Sequence, residues 1–181
     1  MQLPGIRLKD YISVDKVHSI HYFTFTSEYA FPGEHHDFWE IVYVDKGKVW
    51  ICAEDHWFVL DSGSVYFHHP GQWHTLRACE GIAANIAVFT FSSASEEIWN
   101  FKNRSVQIMP AEKQLVANII SESELAFSTA IDAPYINRLR PRADAAPGAQ
   151  QMVKLYLCQL MILFSRRLLG YHIDPRSLPN S

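Results

Sequence analysis

The side chains best suited to chemistry lie in two short segments of the chain, residues 33–47 (GEHHDFWEIVYVDKG) and 63–74 (GSVYFHHPGQWH). They are Glu34, His36, Glu40 and His74. Alternate residues of a strand face the same side, so Glu34, His36 and Glu40 would share one face. Two carboxylates and two imidazoles can hold a divalent transition metal, and they can equally hydrogen-bond the hydroxyl groups of a small polar ligand. Both kinds of site are open at this point.

Aromatic side chains near the same segments supply what a sugar site also needs, an apolar surface on which the ring can stack. The candidates are Trp50, Tyr66 and Trp73. Strand parity alone does not determine which of them points inward, and the five Trp residues of the chain would serve a core equally well. His35, His68 and His69 have the opposite parity or lie at turns, so we expect them to contact solvent or backbone.

The elements that must position these side chains are short strands. Strand-like runs recur at close intervals, separated by turn signals such as Asp45-Lys46-Gly47 and Pro70-Gly71, which is typical of an antiparallel barrel or sandwich. The predicted strands are residues 21–26, 38–44, 48–53, 57–60, 64–68, 74–78 and 85–91. In the second run Trp39, Ile41 and Tyr43 oppose the polar face, which predicts a strand covered on both sides.

Helices are predicted in the second half of the chain. Residues 111–127 and, more strongly, residues 149–169 place apolar side chains at helical intervals. The segment between them, 128–148, is rich in Ala, Pro and Arg and is predicted to be a surface excursion without regular structure. The apolar stripe of the second helix is broader than one sheet edge needs. That helix therefore either packs wholly against the barrel or also pairs with its copy in a dimer.

The two segments resemble the two motifs of the cupin superfamily. His36, Glu40 and Gly47 stand where the first motif has its second His, Glu and Gly, while Glu34 occupies the position of its first His. The second motif is matched by Gly63, Pro70, Gly71 and His74. More specifically, HHDFWEIVYVDKG followed by HHPGQWHTL resembles the amino-terminal sensor domain of AraC-type transcription regulators, particularly the sugar-responsive ones. The resemblance implies a mainly β fold, an antiparallel cupin (jelly-roll) barrel followed by two carboxy-terminal α-helices.

The resemblance also implies a domain layout. Residues 1–17 would form an amino-terminal arm, which in some family members folds over the ligand, and residues 18–95 the barrel. Residues 96–170 would form a helical region with a dimerisation helix at about 149–169, and 171–181 the start of a linker to a DNA-binding domain that this chain does not contain. The homodimer interface would use the helical stripe Val153, Leu157, Leu160, Met161 and Phe164.

The function implied by the resemblance is that of a sensor domain, which binds a small-molecule effector such as a sugar and dimerises. The ligand contacts would be Glu34, His36, Glu40, His74, Trp50, Tyr66 and Trp73, with no catalytic residue and no metal or cofactor. The alternative is a metal-dependent single-domain cupin enzyme, an isomerase, epimerase or dioxygenase. In that case Glu34, His36, Glu40 and His74 would hold a divalent transition metal.

Charge and composition narrow the class of partner and the compartment. The net charge of −3 argues against a nucleic-acid surface, because duplex binding depends on clustered Lys and Arg, so DNA would be reached only through the missing domain. The sequence has no signal-peptide pattern and no apolar run of about 18 residues, which predicts a cytoplasmic protein without a membrane partner. Its three scattered Cys residues are expected to stay reduced.

Overall fold

Eight strands and two α-helices make up the computed structural model, which describes residues 3–79, 81–136 and 138–171. The strands are β1 (Lys16–Phe25), β2 (Trp39–Lys46), β3 (Lys48–Ala53), β4 (His56–Asp61), β5 (Ser64–His68), β6 (His74–Ala78), β7 (Ala84–Ser92) and β8 (Ser105–Gln107). A 3₁₀ helix (Glu96–Phe101) precedes β8, and the α-helices are α1 (Pro110–Ala126) and α2 (Ala149–Leu168). The predicted fold class, an antiparallel cupin barrel followed by two helices, is confirmed.

Two antiparallel sheets face each other and form the barrel. One has the strand order β1-β7-β2-β5-β8 and the other the order β4-β3-β6. The space between them is filled by one cluster of buried side chains, which includes Val42 and Val44 from the larger sheet and Val49 and Ile51 from the smaller. The polar residue Glu40 shares the inward parity of Val42, so it enters this interior at one end of the apolar cluster.

The outer face of the larger sheet carries both helices. A second buried cluster joins Trp39, Ile41 and Tyr43 of β2 to side chains of α1 and α2. Strand β2 is therefore buried on both faces, as its pattern of apolar residues predicts. The helices thus pack on the outer face of β2, the strand whose inner face presents Glu40 to the interior.

The apolar stripe of α2 is buried in this outer core. Its five predicted interface residues, Val153, Leu157, Leu160, Met161 and Phe164, are each at most 1% exposed and belong to the cluster against the sheet. The prediction that these residues form a dimer interface is wrong, because side chains buried within one protomer have no surface left for a second. The exposed apolar residues of α2 lie elsewhere and include Leu155, which is 50% exposed.

Long-range pairing moved the start of one predicted strand and added elements that no local pattern predicts. Strand β1 begins at Lys16, five residues before the predicted start, because Lys16 pairs with Ser92 of β7. The three-residue strand β8 pairs with β5, and the 3₁₀ helix before it buries Ile98 and Phe101. The boundaries of α1 and α2 lie within one residue of the prediction.

The amino-terminal segment packs on the helical side of the barrel. Ile12 and Val14 are buried in the outer core, and the Tyr11 hydroxyl lies 3.0 Å from the Ser165 hydroxyl of α2. The predicted linker at 171–181 lies outside the described residues except for Tyr171. None of the helices in the described ranges is long and apolar enough to cross a membrane.

Candidate ligand-binding site

The two sequence segments meet at one end of the barrel. Glu34 and His74 exchange backbone hydrogen bonds of 2.9 Å in both directions, and the Gly71 amide donates to the His36 carbonyl at 2.7 Å. Glu40 lies on β2 opposite His68 of β5 and Thr90 of β7. These backbone contacts bring Glu34, His36, Glu40 and His74 together, although only Glu40 and His74 belong to the long strands.

The four side chains surround a common centre. Nε2 of His74 lies 3.5 Å from Glu40 and 4.0 Å from Glu34, and Nε2 of His36 lies 3.6 Å from Glu40. These separations are longer than hydrogen bonds, and both buried Nε2 atoms lack a hydrogen-bond partner among the described residues. The two imidazoles thus face the Glu40 carboxylate without forming a hydrogen bond to it.

Backbone carbonyls orient both imidazoles. Nδ1 of His36 lies 2.9 Å from the Phe38 carbonyl, and Nδ1 of His74 lies 2.9 Å from the Gln72 carbonyl. A carbonyl only accepts, so each Nδ1 carries a proton and donates it. Each Nε2 then faces the Glu40 carboxylate, either as a lone pair or as a second N–H. A bound hydroxyl or a cation between them would satisfy the lone-pair form.

The electrostatics of the cluster centre on Glu40. Burial alone would raise the pKa of Glu40, but the pull of His36 and His74 outweighs it and holds that pKa well below the usual range. Burial lowers the pKa of His74, yet the Glu40 carboxylate raises it by more, so the net shift is upward. Burial and the charge of Glu40 both raise the pKa of Glu34. Glu40 is consequently the permanent negative charge of the site.

A third imidazole supports the cluster from behind. His68 is 1% exposed, stacks on His74 with ring centroids 4.2 Å apart, and its Nδ1 lies 2.9 Å from Oε1 of Gln72. Burial lowers the pKa of His68 to about 3, so this ring is neutral near pH 7. The expectation that His68 contacts solvent or backbone is wrong. The pairing of His68 with Glu40 across β2 and β5 puts both on the inner face.

A cavity opens beside the cluster and combines polar and aromatic walls. Its aromatic part includes Phe23, Phe25, Tyr29 and Phe31, and its polar part includes Glu34, Glu40 and His74. Four further polar residues that the sequence analysis missed, His18, Ser19, His21 and Thr90, also line it. They come from β1 and β7, where no local motif marks them; only the pairing of these strands brings them to the cavity.

Phe38 connects this cavity to the cluster. Its ring stacks on His36 at 3.9 Å and on His18 at 4.1 Å between centroids. Phe38 therefore fixes the plane of the His36 ring while contributing to the cavity wall itself.

The three aromatic residues predicted to stack on a ligand do not line the cavity. Trp50 lies on the outer face of the smaller sheet, where Arg77 stands 5.8 Å from its ring centroid. Tyr66 points into the barrel and packs among the inner apolar residues beside His68. Trp73 is 39% exposed and covers Gly33, where an added Cβ would meet its ring at 2.6 Å. The structure brings together the four polar candidates and leaves these three outside the cavity lining.

A loop between the helices covers the cavity. We call residues 128–142, of which Asn137 is not described, the covering loop. It is anchored at its base by hydrogen bonds from Ser128 to Arg140 and from Arg142 to Ala126, and further along Tyr22 of β1 donates to the Ile131 carbonyl at 2.9 Å. Its residue Pro134 lines the cavity, whereas no described residue of the amino-terminal arm does. The segment predicted to lack regular structure is thus the one that reaches the cavity.

The residues of the cluster fit a transition metal in type and spacing. Their four potential ligand atoms all lie within 4.8 Å of one another. Metal–nitrogen and metal–oxygen bonds of about 2 Å place neighbouring ligand atoms about 3–4 Å apart, close to the observed 3.5 and 3.6 Å. The carbonyl-bound Nδ1 atoms also match the way metal-binding imidazoles are held.

Fold and site together define a small-molecule-binding barrel of the cupin type. The profile of the AraC-like ligand binding domain matches residues 17–111, more than half of the chain, and the chain belongs to this family. Over 57 residues it is 40% identical to the HTH-type transcriptional activators RhaS of Pectobacterium carotovorum subsp. carotovorum and Pectobacterium atrosepticum. That match covers 32% of this chain and 20% of each activator, so the chain spans only about a fifth of these relatives.

Solved structures similar to this chain include the following two, both of low sequence identity. A cupin superfamily protein from Desulfitobacterium hafniense is 13% identical, with a TM-score of 0.38 over 49% of this chain and 74% of that protein. A predicted oxalate decarboxylase from Thermotoga maritima is 14% identical, with a TM-score of 0.41 over 42% of this chain and 68% of that protein.

Proposed function

We propose that this chain is the effector-binding and dimerisation domain of an AraC-type transcription regulator. The observation that carries the proposal is the cavity beside Glu34, Glu40 and His74, in a chain of a ligand-binding family. DNA binding would rest with a domain outside these 181 residues, and such a regulator would act in the cytoplasm. The RhaS relatives are named transcriptional activators, which supports a role for this chain in transcription regulation.

The lining of the cavity favours an uncharged, hydroxyl-bearing effector such as a sugar. None of the described residues that line it is Lys or Arg, while Glu40 is ionised, so a phosphate or carboxylate would meet like charge without a Lys or Arg to pair with. Hydroxyl groups can donate to Glu40 and to the Nε2 lone pairs. The rings of Phe23, Phe25 and Phe31 offer an apolar wall for the carbon face of a sugar.

The covering loop would couple the cavity to the helices. It lies within the connection between α1 and α2, and its residue Pro134 lines the cavity. If the effector binds more tightly when this loop is in one position than in another, it shifts the population of the protein toward the first position. Such a shift would be passed to α2, and through it to the attached DNA-binding units.

Dimerisation would use the exposed side of α2 rather than its buried stripe. Leu155 of α2 and Leu169, which directly follows this helix, are 50% and 53% exposed, and they border a groove that also involves residues 9–13 of the amino-terminal segment. Exposed apolar surface of this kind marks contact sites on soluble proteins. A symmetric pair of α2 helices would cover it.

A thermal-shift screen tests the effector proposal. We expect neutral aldoses, deoxyaldoses or alditols to raise the melting temperature, since a ligand that binds only the folded state stabilises it. Glu40→Gln or His74→Ala should weaken the affinity by about ten- to a hundredfold, because each removes a buried polar contact. Trp50→Phe, on the outer face, is the matched control and should leave affinity unchanged. Equal affinity in all three variants would refute the site.

The second candidate function is a metal-dependent cupin enzyme, an isomerase, epimerase or dioxygenase. It is favoured by the spacing of Glu34, His36, Glu40 and His74 around one centre. These residues would hold a divalent transition metal, which would act as a Lewis acid on a bound oxygen. Elemental analysis of the purified chain separates the candidates. Stoichiometric iron, manganese, nickel or zinc that is lost in Glu40→Gln would support the enzyme, and a metal-free chain stabilised by a sugar would support the sensor.

A further inference from the structure

One polar side chain in the cavity wall is almost completely buried. His21, near the middle of β1 opposite Val88 of β7, is only 3% exposed and lines the cavity. Neither of its ring nitrogens has a hydrogen-bond partner among the described residues. The backbone of Ile131 in the covering loop lies near the ring, but outside hydrogen-bond geometry.

An unpaired buried imidazole is costly, and folded proteins rarely retain one without a reason. Buried polar groups are nearly always hydrogen-bonded, and one that lacks a partner lowers stability. The adjacent inward-facing polar pair shows the usual case, since the Ser19 and Thr90 hydroxyls are 2.7 Å apart. An apolar side chain at position 21 would suit the neighbouring Phe23 and Val88 better than an imidazole does.

The chemistry of this ring fits a hydroxyl partner. Burial lowers the pKa of His21 by more than the Ile131 backbone and the Glu40 charge raise it. The imidazole is therefore neutral near pH 7, with one nitrogen donating and the other accepting. A hydroxyl group can both accept from and donate to such a ring.

We propose that His21 is a ligand-binding residue, which hydrogen-bonds a hydroxyl group of the effector beneath the covering loop. This inference rests on the proposed function and adds a specific anchor to it. The anchor lies on β1, in a different part of the chain from Glu34, Glu40 and His74. An effector would then bridge two polar walls across the aromatic side chains, and only molecules with hydroxyls at both positions would gain from both.

The first test needs no ligand. In the free protein His21→Leu should melt at the same temperature as the wild type or higher, because it removes an unpaired polar group from an apolar surrounding. Ser19→Ala, which breaks an existing hydrogen bond on the same strand face, should lower the melting temperature. Circular dichroism confirms the fold of each variant. A melting temperature of His21→Leu below that of the wild type would overturn the proposal, since it would show that the ring stabilises the fold.

The second test measures binding of neutral aldoses, deoxyaldoses and alditols by calorimetry. For the compound that stabilises the wild type most, His21→Leu should weaken affinity about tenfold or more, the loss of one hydrogen bond. His21→Asn, which keeps a donor and an acceptor, should recover part of it. Ile86→Val, an inner-core change on β7 outside the cavity lining, should lower stability but leave affinity unchanged.

The outcomes separate this inference from the function on which it rests. Unchanged affinity in His21→Leu, with Glu40→Gln impaired, overturns the role of His21 and leaves the sensor intact. If no compound of the panel binds the wild type, the proposed effector class fails. The role of His21 is then judged from the melting temperature of ligand-free His21→Leu alone. A value at or above that of the wild type supports the proposed role.

Discussion

At the scale of single residues, the barrel interior holds two stacked histidines whose pKa values are shifted in opposite directions. His68 stays neutral through burial, whereas the pKa of its stacking partner His74 is raised by Glu40. The difference arises from contact with the carboxylate, since both rings are buried. A neutral ring therefore lies directly behind the ring whose pKa the carboxylate raises.

The neutral state of His68 makes the fold sensitive to acid. The unfolded chain takes up a proton on His68 below pH 6.5, but the folded chain does so only near pH 3. The unfolding free energy therefore falls between these values as the pH is lowered, by at most about 1.4 kcal/mol per pH unit. We expect His68→Asn, which keeps a donor for Gln72 and does not titrate, to lose less stability between pH 6.5 and 5. Urea unfolding across this range measures the difference, and identical pH dependence in both proteins would contradict the buried neutral state.

At the scale of elements, the turn before Glu34 fixes how the first segment meets β6. Gly33 has a φ of +97°, and its Cα faces the Trp73 ring. We expect Gly33→Ala to lower the unfolding free energy by more than the roughly 1–3 kcal/mol of left-handed strain alone, because its Cβ would also collide with that ring. It should also weaken ligand binding by displacing Glu34.

Gly71→Ala is the matched control for this change. Its φ is +81°, yet no atom lies within 4 Å of an added Cβ, so only the backbone strain remains. Denaturant unfolding of both variants gives the steric part by difference. An equal loss in the two would mean that the Trp73 ring moves aside without cost.

The elements also show which parts of the structure can be predicted from sequence. Local periodicity was sufficient to predict where β2, α1 and α2 lie. Motif spacing was sufficient to predict that Glu34, His36, Glu40 and His74 lie close together. Residues that depend on pairing between distant strands were missed, among them Ser19 and His21 on β1. His68 was misassigned although it ends the predicted strand 64–68 and shares its parity with Tyr66, because parity alone does not show which face of a strand points inward.

At the scale of the whole molecule, α2 carries buried and exposed apolar residues, and the helical pattern of the sequence alone does not distinguish them. Leu157 is fully buried against the sheet, and we expect Leu157→Ala to lower the unfolding free energy by about 2–5 kcal/mol, as large-to-small core changes do. Its effect on association should follow only from this loss of stability. Leu155 is half exposed and contributes little to the protomer's own core.

The exposed side of α2 gives the decisive test of dimerisation. If two copies pair through it, Leu155→Glu places a carboxylate against its symmetry mate and should convert the dimer to a monomer with little change in protomer stability, since the side chain is not in the core. Gln150→Glu adds the same charge at an exposed position outside the groove and should leave association unchanged. Sedimentation equilibrium of the three proteins measures the dissociation constants. A dimer that withstands Leu155→Glu would place the interface away from this groove, and the coupling from the cavity to DNA-binding units would then have to run through an element other than α2.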